Sequence, residues 1–73
     1  MPRTRTLSIF AVRLRQLRKN ARMSQEQLGQ AVGYSGRAAV NGWERDKQSP
    51  PLATVALLAG VLKVSPAWLA GWA

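Results

Sequence analysis

Seventy-three residues point to a single domain, and with no cysteine and no histidine the chain carries no disulfide framework, no zinc-finger ligand set, no thiolate nucleophile and no imidazole acid–base group. Eleven Lys and Arg against three Asp and Glu give a formal charge of +8, and the pI near 11.8 is in the range of proteins that bind polyanions. Ten of the eleven cations fall within residues 1–47, leaving only Lys63 beyond, so one end faces the polyanion and the other packs or pairs.

A chain this short buries only about 60% of its unfolded surface. Its stability must come from packed apolar side chains, helped by self-association. The apolar run 7–12 is too short for a signal peptide, and Arg13 and Arg15 follow at once. No stretch approaches the ~20 apolar residues of a membrane span. The expectation is a cytoplasmic, nucleoid-associated protein of bacterial or phage style, with no membrane partner.

Residues 1–5, basic and interrupted by Pro2, are expected to form a flexible arm, with one domain over residues 6–73. Thr6 or Ser8 can cap a first helix. Its buried face would be Phe10, Leu14, Leu17 and Ala21, at helical spacing, with Arg13, Arg15, Arg18, Lys19 and Arg22 over much of the rest. Ser24-Gln25-Glu26-Gln27 spells a capping box. A second helix of about nine residues then runs through Leu28, Ala31 and Val32 to Gly33, a glycine suited to a left-handed C′ position. A helix of that length is marginal alone and needs tertiary packing.

Tyr34-Ser35-Gly36 reads as a turn, after which a third helix starts near Gly36 or Arg37 and continues to Glu44. A charged loop from Arg45 to Ser49 follows. Ser49-Pro50 predicts the N-cap and N1 of a fourth helix, with Leu52, Val55, Leu58, Ala59 and Leu62 buried. Ser65-Pro66 repeats that signal for a short last helix carrying Trp68 and Leu69. The expected class is all-α: a compact arrangement of five helices.

Two short helices joined near a glycine make a helix-turn-helix when they cross steeply. The crossing needs a small residue where they meet, which is Gly29, and a residue that tolerates the turn, which is Gly33. Leu28, Val32, Val40 and Trp43 would fix the angle, freeing the outer side of helix 3 for a major groove.

The segments Leu14-Arg15-Gln16-Leu17-Arg18, Met23 to Leu28, Val40-Asn41-Gly42-Trp43-Glu44-Arg45, Pro50, Leu58-Ala59, Leu62 and Val64 to Leu69 together resemble the lambda-repressor and Cro-type helix-turn-helix family, over about residues 10–70. The resemblance implies a transcriptional regulator, most simply a repressor, that binds a palindromic operator in double-stranded DNA as a homodimer. It implies an ion pair between Arg18 and Glu44. It implies a Gln25 that touches a phosphate and braces helix 3, and a DNA-facing set of Arg37, Ala38 and Asn41 with Ser35 and Gly36 leading into it. Arg37 would bond guanine or a phosphate, Ala38 a thymine methyl, and Asn41 adenine or a phosphate. Gly42 would fall on the same face and permit close approach. Arg45, Lys47 and Gln48 would follow the DNA backbone, and Arg3 and Arg5 would reach round the duplex as an arm.

The chain departs from that pattern in three places. The segment between Gly33 and Glu44 is one residue longer than usual, most simply within Tyr34-Ser35-Gly36. Gly29 replaces a customary Ala, and Asp46 a customary Gly.

The fourth helix is apolar nearly all round, so Leu57, Val61 and Trp72 form a candidate contact patch. Its occupant would be a second copy, a missing C-terminal domain of a longer regulator, or, in an antitoxin of this fold, a toxin protein. Membrane binding through helix 1 is opposed by the core role of Phe10, Leu14 and Leu17. With no His, no Cys, no P-loop and no facing acids, no enzymatic activity, metal or cofactor is expected.

Overall fold

The computed structural model describes residues 7–72, all five of whose elements are helices. The expected arm, with Arg3 and Arg5, and the alternative cap Thr6 lie outside these residues.

Helix α1 (Ile9–Asn20) starts at Ser8, whose Oγ accepts the Ala11 N–H at 3.1 Å. Ala11 and Leu14 are its most buried residues, with Phe10 and Leu17 partly covered. Ala21, expected on this face, is exposed: it is the C-cap, past the last packed turn.

Helix α2 (Gln25–Ala31) opens on a complete capping box, with the Gln27 N–H on Ser24 Oγ at 3.0 Å and the Ser24 N–H on Gln27 Oε1 at 2.8 Å. It has seven residues, shorter than expected, because Val32 at φ −113° has already left the helix, and Gly33 follows at φ +92°.

Helix α3 (Ala38–Glu44) keeps an ordinary ladder, with the Asn41 N–H on the Arg37 carbonyl at 2.9 Å and the Arg45 N–H on the Asn41 carbonyl at 3.0 Å. The long connection is therefore taken up before the helix, where Gly36 sits at φ +70°.

Helix α4 (Leu52–Leu62) begins two residues later than Ser49-Pro50 predicted, with Pro51 as N-cap and no side-chain cap. The cause is Pro51 itself: a residue before proline is driven out of the helical region, so Pro50 cannot be the first helical residue. Thr54, Val55, Leu58 and Ala59 are buried, but Leu52 is 65% exposed. At ~100° per residue, Leu52 lies about 90° from the centre of that buried face. Lys63 ends the helix at φ +62°.

Helix α5 (Pro66–Ala70) has Pro66 in its first turn and Ser65 as N-cap, the Ser65 Oγ accepting the Trp68 N–H at 3.4 Å.

The core gathers one or more residues from every helix. Leu14, Leu28, Val40, Leu58 and Leu69 are fully covered, with Val32, Trp43, Val55 and Ala59 around them. Each such aliphatic side chain contributes about 1.5–3 kcal/mol. Tyr34, read from sequence only as a turn residue, meets Trp43 edge-on with ring centroids 5.1 Å apart. Its hydroxyl pairs with Thr54 Oγ1 at 3.2 Å, which gives the buried threonine of α4 a partner. The Arg13 guanidinium lies 4.0 Å from the centre of the Trp68 ring and donates to the Trp68 carbonyl, tying α1 to α5.

Candidate nucleic-acid interface

Two packing features set the position of α3. At Gly29 a Cβ would stand 2.9 Å from the Gly36 carbonyl oxygen and 3.6 Å from Val40 Cγ2, so α2 meets the turn and α3 where only hydrogen fits. On the other side a polar network joins three helices. Arg18 Nε donates to Glu44 Oε2 at 2.6 Å and Arg18 Nη2 to Glu44 Oε1 at 3.1 Å, a fork on a carboxylate that is only 3% exposed. Arg18 Nη1 also donates to the Met23 carbonyl at 2.8 Å. Gln25 Nε2 donates to Glu44 Oε1 at 3.1 Å, and Asn41 Nδ2 to Gln25 Oε1 at 3.3 Å. Among the described residues no buried side-chain polar atom lacks a partner, so the network is satisfied.

Gln25 thus braces α3 through both amide atoms, and Asn41 is held by it from the outer side. With Val40, Trp43 and Glu44 buried, the opposite side of α3 presents Ala38 and Arg45 to solvent and Asn41 half-exposed. Two open concavities adjoin there. Arg15, Arg18, Gln25, Asn41, Glu44 and Arg45 line one, and Arg37, Ala38, Asn41, Gly42, Arg45, Lys47 and Gln48 line the other. Asn41 and Arg45 belong to both, so the surface is continuous and carries Arg15, Arg37, Arg45 and Lys47. Ser35 and Gly36 are exposed in the turn but line neither concavity.

Gly42 and Arg15 on this surface, and Asp46 in the loop beside it, have roles that the sequence alone does not show. Gly42 is not an open gap on the outer face: it is buried, and a Cβ there would lie 2.9 Å from Gln48 Nε2. Helical spacing marks Arg15 only as one cation of α1 and does not say which concavity its side chain borders. Asp46, standing where a Gly is customary, takes the left-handed backbone that such a glycine would allow, at φ +61°. Its carboxylate also accepts the Ser8 N–H at 2.7 Å and the Ser8 hydroxyl at 3.0 Å, linking the loop after α3 to the start of α1.

The expected contact patch is divided. Trp72, 71% exposed, borders a groove with Phe10, Pro50, Leu52 and Val55, while Leu57 and Val61 lie on the other flank of α4. A helical wheel separates them from Leu52 by about 140–180°.

Known proteins support the same frame. The helix-turn-helix family model matches residues 14–69. The chain is 33% identical over 63 residues, 86% of its length, to the uncharacterized HTH-type transcriptional regulator YobD of Bacillus subtilis (strain 168), and spans 55% of that protein. Among solved structures it is similar to the P22 c2 repressor in complex with a synthetic operator, with TM-score 0.81 and 30% identity over 94% of this chain and 100% of that one. It is similar to the restriction-modification controller protein C.AhdI from Aeromonas hydrophila, with TM-score 0.75 and 36% identity over 84% of this chain and 91% of that one. A hypothetical transcription factor, NHTF from Neisseria, gives TM-score 0.76 and 25% identity over 93% of this chain and 85% of that one. None of these relatives supports the antitoxin reading. Among the described residues no helix is long and apolar enough to cross a membrane. The crossing of α2 and α3, the forked Arg18–Glu44 pair and the match over residues 14–69 together place the chain in the lambda-repressor and Cro-type helix-turn-helix family of DNA-binding transcriptional regulators.

Proposed function

We propose that this domain binds a palindromic operator in double-stranded DNA as a homodimer, with the outer face of α3 in the major groove, and that it acts there as a repressor or controller. The observation that carries this reading is the continuous basic surface around Ala38, Asn41 and Arg45, on a helix whose opposite face is fixed in the core. Arg37 stands at the N-terminal end of α3 with its side chain uncommitted to capping, where recognition helices meet base edges. Arg15, Arg45 and Lys47 flank it as phosphate contacts. Arg3 and Arg5 would add further phosphate contacts. The protein would work in the cytoplasm, on the nucleoid, without cofactor or catalytic step.

Selection of bound duplexes from a random pool tests the reading. The parent is expected to enrich a palindrome with half-sites about one helical turn apart. Arg37→Ala is expected to lose one base preference per half-site while keeping the others, worth about 1–3 kcal/mol. If six to eight cations meet phosphates, log K against log salt has a slope of about −5 to −7. A flat salt response, or no enrichment by the parent, would refute operator binding.

The second copy is expected to pair through the apolar C-terminal surface that carries Leu57 and Val61, with Trp72 on the other flank of α4. Leu57→Glu is expected to weaken binding to the full palindrome and to leave half-site binding unchanged. Leu57 is 55% exposed, so its melting curve should stay within about 0.5 kcal/mol of the parent. Unchanged affinity for the palindrome would move the dimer contact elsewhere.

A further inference from the structure

On α3, positions 38, 41, 42 and 45 recur at i, i+3, i+4 and i+7 and share one face. Gly42 has no side chain, so the helix itself brings no reading group to that point of the face. The chain then reverses. Asp46 adopts φ +61° and the Lys47 N–H returns to the Gly42 carbonyl at 2.9 Å. This reversal lays Gln48 back across the helix: from an ideal Cβ on Gly42, Gln48 Nε2, Cγ and Cδ are 2.9, 3.1 and 3.3 Å away. The glutamine side chain therefore occupies the place that a side chain of residue 42 would take, beside Asn41 in the same concavity. Gln48 is exposed, and among the described residues its amide has no hydrogen-bond partner.

We propose that Gln48, although outside α3, reads a base in the operator through its side-chain amide, in the space that Gly42 leaves for it. The chemistry it fits is an adenine edge in the major groove, whose N7 accepts and whose N6 donates to the two ends of a Gln amide. The proposal rests on the operator reading above, and it turns a loop residue expected to follow the DNA backbone into one that sets specificity.

The test is the same random-pool selection, run with the parent, Gln48→Ala, Gln48→Glu and Gly42→Ala. Gln48→Ala is expected to abolish preference at one A·T pair of each half-site, a loss of about 5- to 150-fold in discrimination, with the other positions unchanged. Gln48→Glu is expected to shift the same position toward C·G, because a carboxylate accepts from cytosine N4. Gly42→Ala, whose methyl competes with the amide for its place, is expected to blur that same position although Gln48 is still present. Should Gly42→Ala fail to fold, the exposed Gln48 variants decide. Equal weakening on all sequences, or an unchanged preference, in Gln48→Ala beside a selective parent would overturn this proposal and leave operator binding standing. A parent that enriches no sequence would overturn both.

Discussion

Arg18→Ala is expected to remove a large share of the stability of the domain. Glu44 is buried at 3% exposure, and Arg18 covers both of its oxygens while a third guanidinium nitrogen closes on the Met23 carbonyl. Truncating the arginine strands a carboxylate in the core, which costs about 3–5 kcal/mol. A domain of this length has only about 4–11 kcal/mol in total. Thermal denaturation followed by circular dichroism should therefore show a transition that is greatly lowered or already lost at room temperature. Arg18→Lys should recover only part of the loss, because an ammonium cannot make the fork and reach Met23 together. Gln25 and Asn41 hang on the same carboxylate, so DNA affinity should fall with stability. A stability within about 1 kcal/mol of the parent would reduce the pair to a solvated contact of the surface kind.

Local chemistry made much of this fold legible. The Ser24 capping box, the Ser65-Pro66 start and the left-handed glycines each act within a few residues, so the sequence states them directly. The wider pattern from Leu14 to Leu69 pointed to the family, and with it to Arg18 opposite Glu44, a pair 26 positions apart that no periodicity links. What stayed hidden was set by neighbours or by long-range packing. Pro50 taken alone signals a helix start, and Pro51 after it cancels that signal. Leu52 looked buried because the apolar faces of α4 are so alike that hydrophobicity does not choose between them. The Tyr34–Trp43–Thr54 cluster and the Asp46–Ser8 link join residues from separate elements, and no spacing in the chain announces them.

At the candidate interface, residue type gave the candidates but not their geometry. Residue type marks Asn41 and Gln25 for DNA contact, yet both amide atoms of Gln25 and the Asn41 Nδ2 are engaged within the protein. Arg15 and Gln48 border the same surface only because α1 and the loop after α3 fold against it. Small residues were the least readable, since a glycine can mark an open approach or a space already filled, and Gly42 is the second kind.

The same ambiguity yields a test at two glycines of equal helical standing. By propensity alone, Gly→Ala inside a helix should stabilise by about 1 kcal/mol. Gly60→Ala in α4 is expected to do so, because a Cβ there meets nothing within 4 Å. Gly29→Ala is expected to have the opposite sign. Its methyl would stand 2.9 Å from the Gly36 carbonyl oxygen, a backbone atom that cannot swing aside as a side chain would. Overpacking of this kind costs typically about 1–3 kcal/mol, enough to reverse the propensity gain. The strain would also push the turn at 33–37 outward and carry Arg37 with it, so operator affinity should drop more than the melting point suggests. The contrast has a structural logic: the turn brings the Gly36 carbonyl onto α2, and a glycine at 29 is what lets it close. Chemical denaturation of the two variants beside the parent decides the matter. If Gly29→Ala raises the midpoint as Gly60→Ala does, then the turn is pliant, and the register of α3 is held by the Arg18–Glu44 network rather than by the crossing of α2 and α3.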